Sequence, residues 1–408
     1  MSFPSALRAL CPQGWSLVQM HEIAASKKYS FVGGPFGSNL TSADYVPLPG
    51  VPVIRGVNLD GKHSRFIDDE FVFVSEEKAE SLIQNMAYPG DLVFTQRGTL
   101  GQVAEVPLQA RFPRYVVSQS QMKLTPNRER ADSRYLYHYY RSPLGVSLLS
   151  SRIQATGVPH INLSLLKEFP VLLPPLPEQK RIAAILDKAD AIRKKRQEAI
   201  RLTEELLRSA FLEMFGDPVT NPKGWPVKEL GELGVITTGS TPPSSEMGMF
   251  GGDIPFITPG DLESEVAPRR YLTARGADSV RTVRAGAALV CCIGATIGKM
   301  GIAPIKCAFN QQLNAIEWNN EVLDDFGYAA LRLLKTAIVG AAKSTTMPIL
   351  KKSSFAQIAI SVPPVAQQEA YVRIARRTSL TLEHLESSLN LSNIASTSLT
   401  QRAFSGNL

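Results

Sequence analysis

Two long stretches of the chain carry apolar residues at alternating spacings of three and four, the period of a helix with one buried face. In the first, 177–215, the in-phase positions are Ile182, Ile185, Ala189, Ile192, Ala199, Leu206 and Ala210. In the second, 364–408, they are Leu382, Leu385, Leu389, Leu399 and Ala403. The remaining positions of both stretches are largely polar, so each predicts a long helix that buries its stripe against the other as an antiparallel coiled coil.

Polar residues interrupt both predicted stripes. The basic run 193–196 places Arg196 on the first stripe, and Ser392 and Ser396 lie on the second, which predicts fraying near 392–398. Matching the Ala-Phe pairs that end at Phe211 and Phe404 predicts that the second helix is about four residues longer. Four residues add roughly 6 Å, about one turn.

Short apolar runs bounded by Gly and Pro predict buried strands, and these runs recur in the two halves of the chain. The matched segments are 51–59 and 254–262, 89–94 and 285–290, 97–101 and 294–298, and 118–122 and 309–313. Towards the helices the match keeps a constant offset, from Pro159 and Pro348 to Gln179 and Gln368. A repeat this long indicates a duplicated domain rather than a solenoid.

The strand and helix signals alternate without a regular βαβ rhythm, which predicts mixed α/β (α+β) domains. The predicted organisation is a first domain over 1–176, a helix over 177–215, a second domain over 216–363 and a helix over 364–408. The two helices separate the duplicated domains, and an approximate two-fold relation is expected between the halves.

Composition limits the possible classes of function but does not identify one. The chain has 408 residues, of which 44% are apolar and 20% charged, as in ordinary globular proteins. A net charge of +7 favours an anionic partner. Four cysteines without paired spacing indicate a reduced, cytoplasmic compartment. The longest uncharged apolar run, 285–298, is too short to span a membrane, so no membrane association is expected.

Catalytic motifs are missing from the sequence. The five histidines lack metal-ligand spacing, and no Gly-x-Ser-x-Gly elbow occurs. The segment 294–299 is one residue too short for a phosphate-binding loop, and Met300 stands where Ser or Thr would bind magnesium. The Pro-Pro pairs lack the Asp/Asn-Pro-Pro-aromatic loop shared by DNA amino-methyltransferases. We therefore expect no catalytic residue, no metal and no cofactor bound by this chain.

A proline-glutamine lead into each helix carries a family resemblance. The first copy is Leu-Pro-Pro-Leu-Pro-Glu-Gln over 173–179, the second is Val-Pro-Pro-Val-Ala-Gln-Gln over 362–368, and the second helix ends in Ala-Phe-Ser-Gly over 403–406. With Gly-Asp-Leu at 90–92 and Thr-Leu-Gly at 99–101, the chain resembles the specificity subunits of type I restriction-modification systems. The second half departs from the pattern where Ala366 and Gln367 replace Pro177 and Glu178, and where Ala287 replaces Asp91.

The resemblance implies two target recognition domains, each reading one half of a split double-stranded DNA target in phage defence. It implies that the helices set the spacing and dock two methyltransferase subunits, and that motor-nuclease subunits complete the complex. S-adenosylmethionine, ATP and magnesium are then expected on those partners. The docking residues implied are Glu178, Gln179, Ile182, Ile185, Ile192, Gln367, Gln368, Leu382, Leu385 and Leu389.

Side chains that can bond base edges or phosphates lie in the polar turns between the predicted strands. The candidates in the first domain are Arg55, Asn58, Gln96, Arg97, Gln119, Gln121, Thr156, His160 and Asn162. Those in the second are Thr258, Asp261, Arg281, Asn310, Gln311, Gln312, Lys343, Ser344 and Thr345. Ordinary turn capping explains many such residues, so fewer than half are expected to touch DNA. Gln119 and Asn310 are alternatively expected to satisfy buried backbone.

Three questions stay open at the level of sequence. The basic run 193–196 is interpreted either as a solvated helix face or as a contact with phosphate or an acidic partner. The chain as a whole is alternatively a coiled-coil scaffold that joins two protein-binding domains without touching DNA. An unrecognised enzyme would need a pocket with converging titratable groups.

Overall fold

The structure, a computed structural model, describes residues 5–47, 49–59, 65–97, 101–151, 160–243, 246–263, 267–342 and 348–408. The chain divides into two compact units, and the division falls inside both long helices. Unit 1 comprises Met1–Gln197 and Ser387–Leu408, and unit 2 comprises Glu198–Glu386. Each unit therefore contains one mixed α/β domain, the beginning of the helix that follows it, and the end of the other helix. The predicted fold class is confirmed.

The strands of unit 1 are β1 Ser16–Gln19, β2 Phe31–Gly33, β3 Tyr45–Val46, β4 Val51–Ile54, β5 Val72–Val74, β6 Met86–Ala87, β7 Leu92–Thr95, β8 Val103–Glu105, β9 Tyr115–Val117, β10 Gln121–Leu124 and β11 Pro170–Leu173. Its helices before the first long helix are α1 Ser5–Ala9, α2 Glu76–Ser81, α3 Ser133–Arg141, α4 Pro143–Ser150 and α5 Leu163–Lys167. The sheet orders are β1-β11, β2-β10-β7-β8 and β3-β5-β4-β9-β6.

The strands of unit 2 are β12 Val227–Glu229, β13 Gly234–Thr238, β14 Phe250–Ile257, β15 Tyr271–Leu272, β16 Thr282–Val283, β17 Ala288–Cys291, β18 Met300–Ile302, β19 Cys307–Phe309, β20 Leu313–Trp318 and β21 Ala359–Ser361. The long helix α6 Leu176–Phe215 precedes them; the others are α7 Leu230–Leu233, α8 Ala274–Asp278, α9 Asp324–Leu333, α10 Lys335–Gly340, α11 Lys352–Ala356 and the long helix α12 Val365–Phe404. The sheet orders are β12-β21, β13-β20-β17-β18 and β15-β14-β19-β16.

The central sheets of the two units have the same plan. β2-β10-β7-β8 in unit 1 corresponds strand for strand to β13-β20-β17-β18 in unit 2, and all neighbouring pairs in both are antiparallel. The central strands are continuous runs of buried residues, because helices cover one face and the second mixed sheet of the unit packs on the other. The sequence repeat is therefore a repeat of structure.

The two long helices have equal lengths, so the prediction of a longer second helix is wrong. Each has 40 residues. The error came from matching Ala-Phe letter pairs, whereas Phe215 is the structural counterpart of Phe404. Phe215 packs its ring 5.0 Å from Phe326 on α9, just as Phe404 packs 5.6 Å from Tyr135 on α3. The constant offset seen before Gln179 therefore continues to the ends of both helices.

The long helices run antiparallel within each unit. In unit 1, Arg196 donates to the Ser388 carbonyl at 3.0 Å, and Arg181 donates to the Leu408 carbonyl at 2.7 Å. In unit 2, the rings of Phe211 and Tyr371 lie 5.3 Å apart. The predicted stripe of α12 is buried or half-buried. That of α6 is buried or half-buried except at Ile192, which is 41% exposed, and Leu206, which is 58% exposed. Arg193 and Leu207, each one residue further along, are half-buried.

The glutamine of each lead-in fastens its helix to its own domain. Gln179 is fully buried; it accepts from the Asp132 amide at 2.9 Å and donates to the Arg130 and Pro174 carbonyls, both at 2.8 Å. Gln368 accepts from the Leu323 amide at 2.9 Å and donates to the Glu321 and Pro363 carbonyls, both at 2.8 Å. A side chain that both accepts and donates is needed here, which a glutamate or an apolar residue does not supply.

An ion pair also links each long helix to its own domain, and the acidic and basic partners are exchanged between the two units. In unit 1, Asp187 on α6 lies 3.6 Å from Arg134 and 2.7 Å from His138 on α3. In unit 2, Arg376 on α12 donates to Asp325 on α9 at 2.8 Å. Burial by itself raises the pKa of Asp187, but the His138 hydrogen bond and the charges of Arg65 and Arg134 bring it below its ordinary value.

Candidate nucleic-acid interface

Three turns and one loop of unit 1 are joined by backbone hydrogen bonds into a single surface. The loop after β2 is held where the Gly34 amide donates to the Gln121 carbonyl at 2.7 Å. The Gln96 amide donates to the Ser120 carbonyl at 2.7 Å, and the Ile161 amide donates to the Gln96 carbonyl at 3.0 Å. We call residues 33–40, 96–97, 118–121 and 160–162 the turn frame of unit 1.

Unit 2 builds the same frame from residues 238–241, 292–294, 310–313 and 348–350. The Gly239 amide donates to the Leu313 carbonyl at 3.0 Å, the Cys292 amide to the Gln312 carbonyl at 2.8 Å, and the Leu350 amide to the Cys292 carbonyl at 2.8 Å. The isolated bridge between Arg97 and His160 is matched by one between Ile293 and Ile349. The bonds also correct the predicted alignment of 118–122 with 309–313, because Ser118 corresponds to Asn310 rather than to Phe309.

One glycine in each frame is required by close packing. A Cβ at Gly34 would overlap the Ser118 carbonyl oxygen, and one at Gly239 would overlap the Asn310 carbonyl oxygen. These contacts are with backbone, which has little room to shift. The two glycines therefore let the loop after the edge strand lie directly on the central turn.

The frames share their backbone but carry different side chains. Gln96 and Arg97 in unit 1 correspond to Cys292 and Ile293 in unit 2, and His160 corresponds to Ile349. Arg97, His160, Gln119 and Gln311 are exposed, while Gln96 and Gln312 are half-buried. A common scaffold with interchangeable side chains is the arrangement expected of two modules that bind different sequences.

Several predicted DNA contacts prove to be turn anchors. Asn58 is fully buried, accepts from the Arg55 amide at 2.8 Å and donates to the Ile67 and Asp69 carbonyls. Its counterpart Asp261 accepts from the Thr258 amide at 2.8 Å and from the Thr258 hydroxyl at 2.5 Å. Full burial leaves Asn58 no surface for DNA, so that prediction is wrong. Thr258 and Asp261 are half-buried and cap their turn, and their contact with DNA stays a prediction.

Three further predicted contacts are also occupied locally. Asn162 caps α5 by accepting from the Leu165 amide at 2.8 Å. Gln121 is 1% exposed and accepts from the Ser118 hydroxyl. Asn310 accepts from the Gln312 amide at 3.1 Å and donates to the Gln312 side chain at 3.0 Å. Gln121 is therefore too buried for the predicted contact, whereas exposed Asn162 stays a prediction. Asn310 and Gln312 form a hydrogen-bonded pair on the frame.

The other candidates within the described residues lie on or beside the frames. Gln119 donates to the Gly37 carbonyl at 2.6 Å and also to that of Leu40, so it does satisfy backbone. Arg281 donates to the Thr238 carbonyl at 2.7 Å, and Gln311 accepts from the Thr241 hydroxyl at 2.6 Å. Arg55 donates to the Glu70 carbonyl at 3.0 Å. Thr156, Lys343, Ser344 and Thr345 lie outside the described residues.

The predicted docking residues separate by burial. Gln179, Gln368 and Ile182 are fully buried in their own units, so they offer no surface to a partner and are corrected to structural residues. Ile192 and Gln367 are exposed. Glu178 pairs with Arg181 at 2.7 Å, and Ile185, Leu382, Leu385 and Leu389 are half-buried. The sequence pattern missed Leu202 and Leu391, which occupy equivalent helix positions and are 50% and 67% exposed.

Sequence reasoning also missed two frame residues, Phe36 and Thr241. They follow the close-packed glycines by two positions and are presented by the same loop. In unit 1 the Gly34-Pro35 pair was the available signal, since it marks a tight turn. Nothing local indicated that this turn meets the Gln119 turn 79 to 82 residues away.

The basic run 193–196 is not simply a solvated helix face. Arg193 pairs with Asp190 at 3.2 Å, and Arg196 donates across the seam to the Ser388 carbonyl. Burial lowers the pKa of Lys194 below its ordinary value. Arg196 thus bonds the other helix and Arg193 pairs within its own, which leaves Lys195 as the exposed residue of the run.

Within the described residues, no helix is long and apolar enough to cross a membrane. No group of three or more His, Cys, Asp or Glu side chains in that part of the chain is arranged to hold a metal ion.

Comparison with known families matches both halves of the chain to one model. The model describes the type I restriction modification DNA specificity domain and matches residues 49–202 and 222–389. The chain belongs to this family. Each half contributes one DNA specificity domain, and each match covers a mixed α/β domain and part of the long helix that follows it. The resemblance inferred from the lead-in motifs is confirmed.

Individual relatives agree with the family match. The chain is 26% identical over 332 residues to the type I restriction enzyme MjaIX specificity subunit of Methanocaldococcus jannaschii, covering 72% of this chain and 74% of that protein. It is 32% identical over 150 residues to the HindI specificity subunit of Haemophilus influenzae, covering 35% and 32%. The family match favours a specificity subunit with two target recognition domains over a scaffold without DNA contact.

Solved structures share the fold. The S subunit of a type I restriction-modification system from M. genitalium superposes with a TM-score of 0.60 at 16% identity, covering 96% of each chain. A chain from a study of complex assembly and conformational transition in a type I restriction-modification system gives 0.53 at 20% identity, covering 98% of this chain and 99% of that one. At these identities the likeness concerns the fold alone.

Proposed function

We propose that each unit reads one half of a split double-stranded DNA target through its turn frame, and that the chain itself catalyses no reaction. The observation that carries this proposal is the pair of frames, which share their backbone hydrogen bonds and glycines but differ in their side chains. Sequence-specific binding needs side chains at base edges on a rigid support. Exposed Arg97 and His160 in unit 1, with Gln311 in unit 2, are the proposed readers.

The long helices are proposed to set the spacing between the half-sites and to dock two methyltransferase subunits. A 40-residue helix is about 60 Å long, which exceeds the roughly 34 Å of one turn of B-DNA. Exposed Leu202 and Leu391 occupy equivalent positions on α6 and α12, as two copies of one partner would require. Motor-nuclease subunits complete the proposed complex, with S-adenosylmethionine, ATP and magnesium held by the partners.

The proposed site of action is the cytoplasm, where such a complex meets DNA. Its thiols fit that setting, since Cys11, Cys291, Cys292 and Cys307 are all unpaired. Burial raises the pKa of Cys292 and of Cys307 to about 12, so both stay protonated and unreactive.

Selection from a random DNA pool by the chain assembled with its methyltransferase subunits tests the proposal. The wild-type complex should enrich a split motif. Arg97→Ala should relax only one half of the motif, and Gln311→Ala only the other, because each residue belongs to one frame. Lys195→Ala, a change of one exposed cation outside the frames, is the matched control and should leave both halves intact. No enriched motif, or one frame change that alters both halves equally, would contradict the proposal.

A further inference from the structure

A single aromatic ring stands out on the turn frame of unit 1. Phe36 is 87% exposed at the tip of the loop that follows β2. Its neighbour Pro35 is buried, and Gly37 and Ser38 are small, so most of the ring lies in solvent. An isolated exposed apolar side chain on a flexible loop has little meaning. Whether Phe36 can act as a binding contact therefore depends on the stiffness of its loop and on the side chains beside it.

The loop is held in place on both sides of Phe36. Before it, the Gly34 amide donates to the Gln121 carbonyl at 2.7 Å, and Gly34 packs directly on the central turn. After it, the Gln119 side chain donates to the Gly37 and Leu40 carbonyls. The Asn39 amide also donates back to the Phe36 carbonyl at 3.2 Å. The ring is thus presented on a constrained turn, which reduces the entropy lost on binding.

The same turn that holds Phe36 belongs to the proposed DNA-reading surface. Gln119 supports the Phe36 loop, and Ser120 beside it accepts from the Gln96 amide, next to exposed Arg97. A lone ring among polar and basic side chains is unlike the contiguous apolar patch of a protein-docking site. It matches DNA-binding surfaces in which Arg contacts surround one apolar wedge.

We propose that Phe36 inserts between two stacked base pairs of the half-site bound by unit 1. This proposal rests on the proposed function, since it requires the turn frame to face DNA. A phenyl ring can replace part of the base stacking that it interrupts, because every base presents an aromatic face. Insertion also bends and unwinds the duplex locally, so that this half-site is recognised partly through its deformability.

Unit 2 lacks the wedge at the same place. Thr241 takes the position of Phe36 and donates to Gln311 at 2.6 Å instead of presenting a ring. The two half-sites are therefore expected to differ in distortion as well as in sequence, with unstacking confined to the half bound by unit 1.

Fluorescence of 2-aminopurine tests the wedge in the full chain assembled with its methyltransferase subunits. The probe replaces successive bases of the half-site bound by unit 1, except the adenine to be methylated, whose own extrusion would raise the signal. Wild-type complex should raise the fluorescence at one base step. Phe36→Ala should abolish that rise and weaken binding at least about fivefold, the lower limit for losing one stacked aromatic. Phe36→Trp, which keeps a large aromatic side chain, should retain both the fluorescence rise and the binding affinity.

The matched control is Leu108→Ala, which removes an exposed apolar side chain of unit 1 outside the turn frame and should leave the fluorescence unchanged. Because Phe36 is exposed, Phe36→Ala should keep the thermal midpoint and subunit assembly of the wild type. If the complex binds its split target but shows no rise, or a rise that survives Phe36→Ala, the wedge proposal alone is overturned. If it binds no split target, the proposed function falls, and the wedge with it.

Discussion

At the scale of single residues, the two central sheets differ at one buried pair of positions, which is charged in unit 1 and apolar in unit 2. In unit 1, Lys123 on β10 lies 3.4 Å from Asp91 and 3.1 Å from the Thr125 hydroxyl, with both charged side chains almost fully buried. Burial raises the pKa of Asp91 and lowers that of Lys123. In unit 2 the corresponding residues are Ala287 and Ala315, also fully buried. The sheet therefore accepts a complete ion pair or none.

Removing one partner should cost much more than removing both. Asp91→Ala or Lys123→Ala alone should destabilise unit 1 by about 3–5 kcal/mol, because the other charge stays buried without compensation. The double alanine variant should cost less than either single change. Hydrogen exchange at the amides of β7 and β10 measures this, with β17 and β20 as the internal control. Additive costs of the two single changes would contradict the coupling.

At the scale of elements, each long helix carries a fully buried glutamine at the fourth residue, in its first turn. Gln368 satisfies three backbone groups, two of which lie in the turn before α9. The neighbouring Gln367 is exposed. The lead-in motif therefore contributes to the attachment of helix to domain, and only its outer face is left for a partner.

Gln368→Leu should destabilise unit 2 by roughly 3 kcal/mol or more, since it leaves the Leu323 amide and two carbonyls without partners. Gln367→Leu makes the same chemical change one residue earlier and should stay within about 0.5 kcal/mol of the wild type. Urea denaturation followed by the fluorescence of Trp318, with Trp15 and Trp225 replaced by Phe in every variant, compares them. Equal midpoints for the two variants would show that the buried glutamine does not hold the helix.

The elements also show why sequence periodicity located the helices but not the burial of every seam position. The stripe through Ile192 and Leu206 keeps the 3.5-residue repeat of paired helices, yet both residues are exposed, because the burial of each position depends on the side chains that the partner helix places against it. Arginine can fill a seam with its aliphatic stem and bond a carbonyl with its head, as Arg196 does with Ser388. A pattern that counts arginine as polar assigns it to the surface.

At the scale of the whole molecule, equal helix lengths make the proposed spacer adjustable in steps. Deleting seven residues from each helix, 194–200 and 385–391, removes one full heptad from both and keeps the remaining seam residues in phase. About 10 Å is lost, roughly three base pairs of B-DNA. Methylome sequencing should then reveal the same half-sites with a spacer shorter by about three base pairs.

The control for this prediction is a deletion of four residues from α6 alone. It shifts the phase of one helix against the other, so loss of methylation is expected rather than a new spacer. An unaltered spacer after the paired deletion would show that the helices do not set the distance between half-sites.

The sequence by itself determined the duplicated mixed α/β architecture, the two long helices and the family. These follow from local signals, namely apolar periodicity, glycine turns and the lead-in motifs, which act within a few residues of one another. Tertiary structure alone decided the equal helix lengths, the exposure of Ile192 and Leu206 on α6, and which polar residues are anchors. Gln179 bonds residues up to 49 positions away, and Gln119 bonds residues up to 82 positions away. Hydrogen-bond partners so distant in the chain are chosen by packing, and packing likewise leaves Phe36 exposed while it buries Asn58.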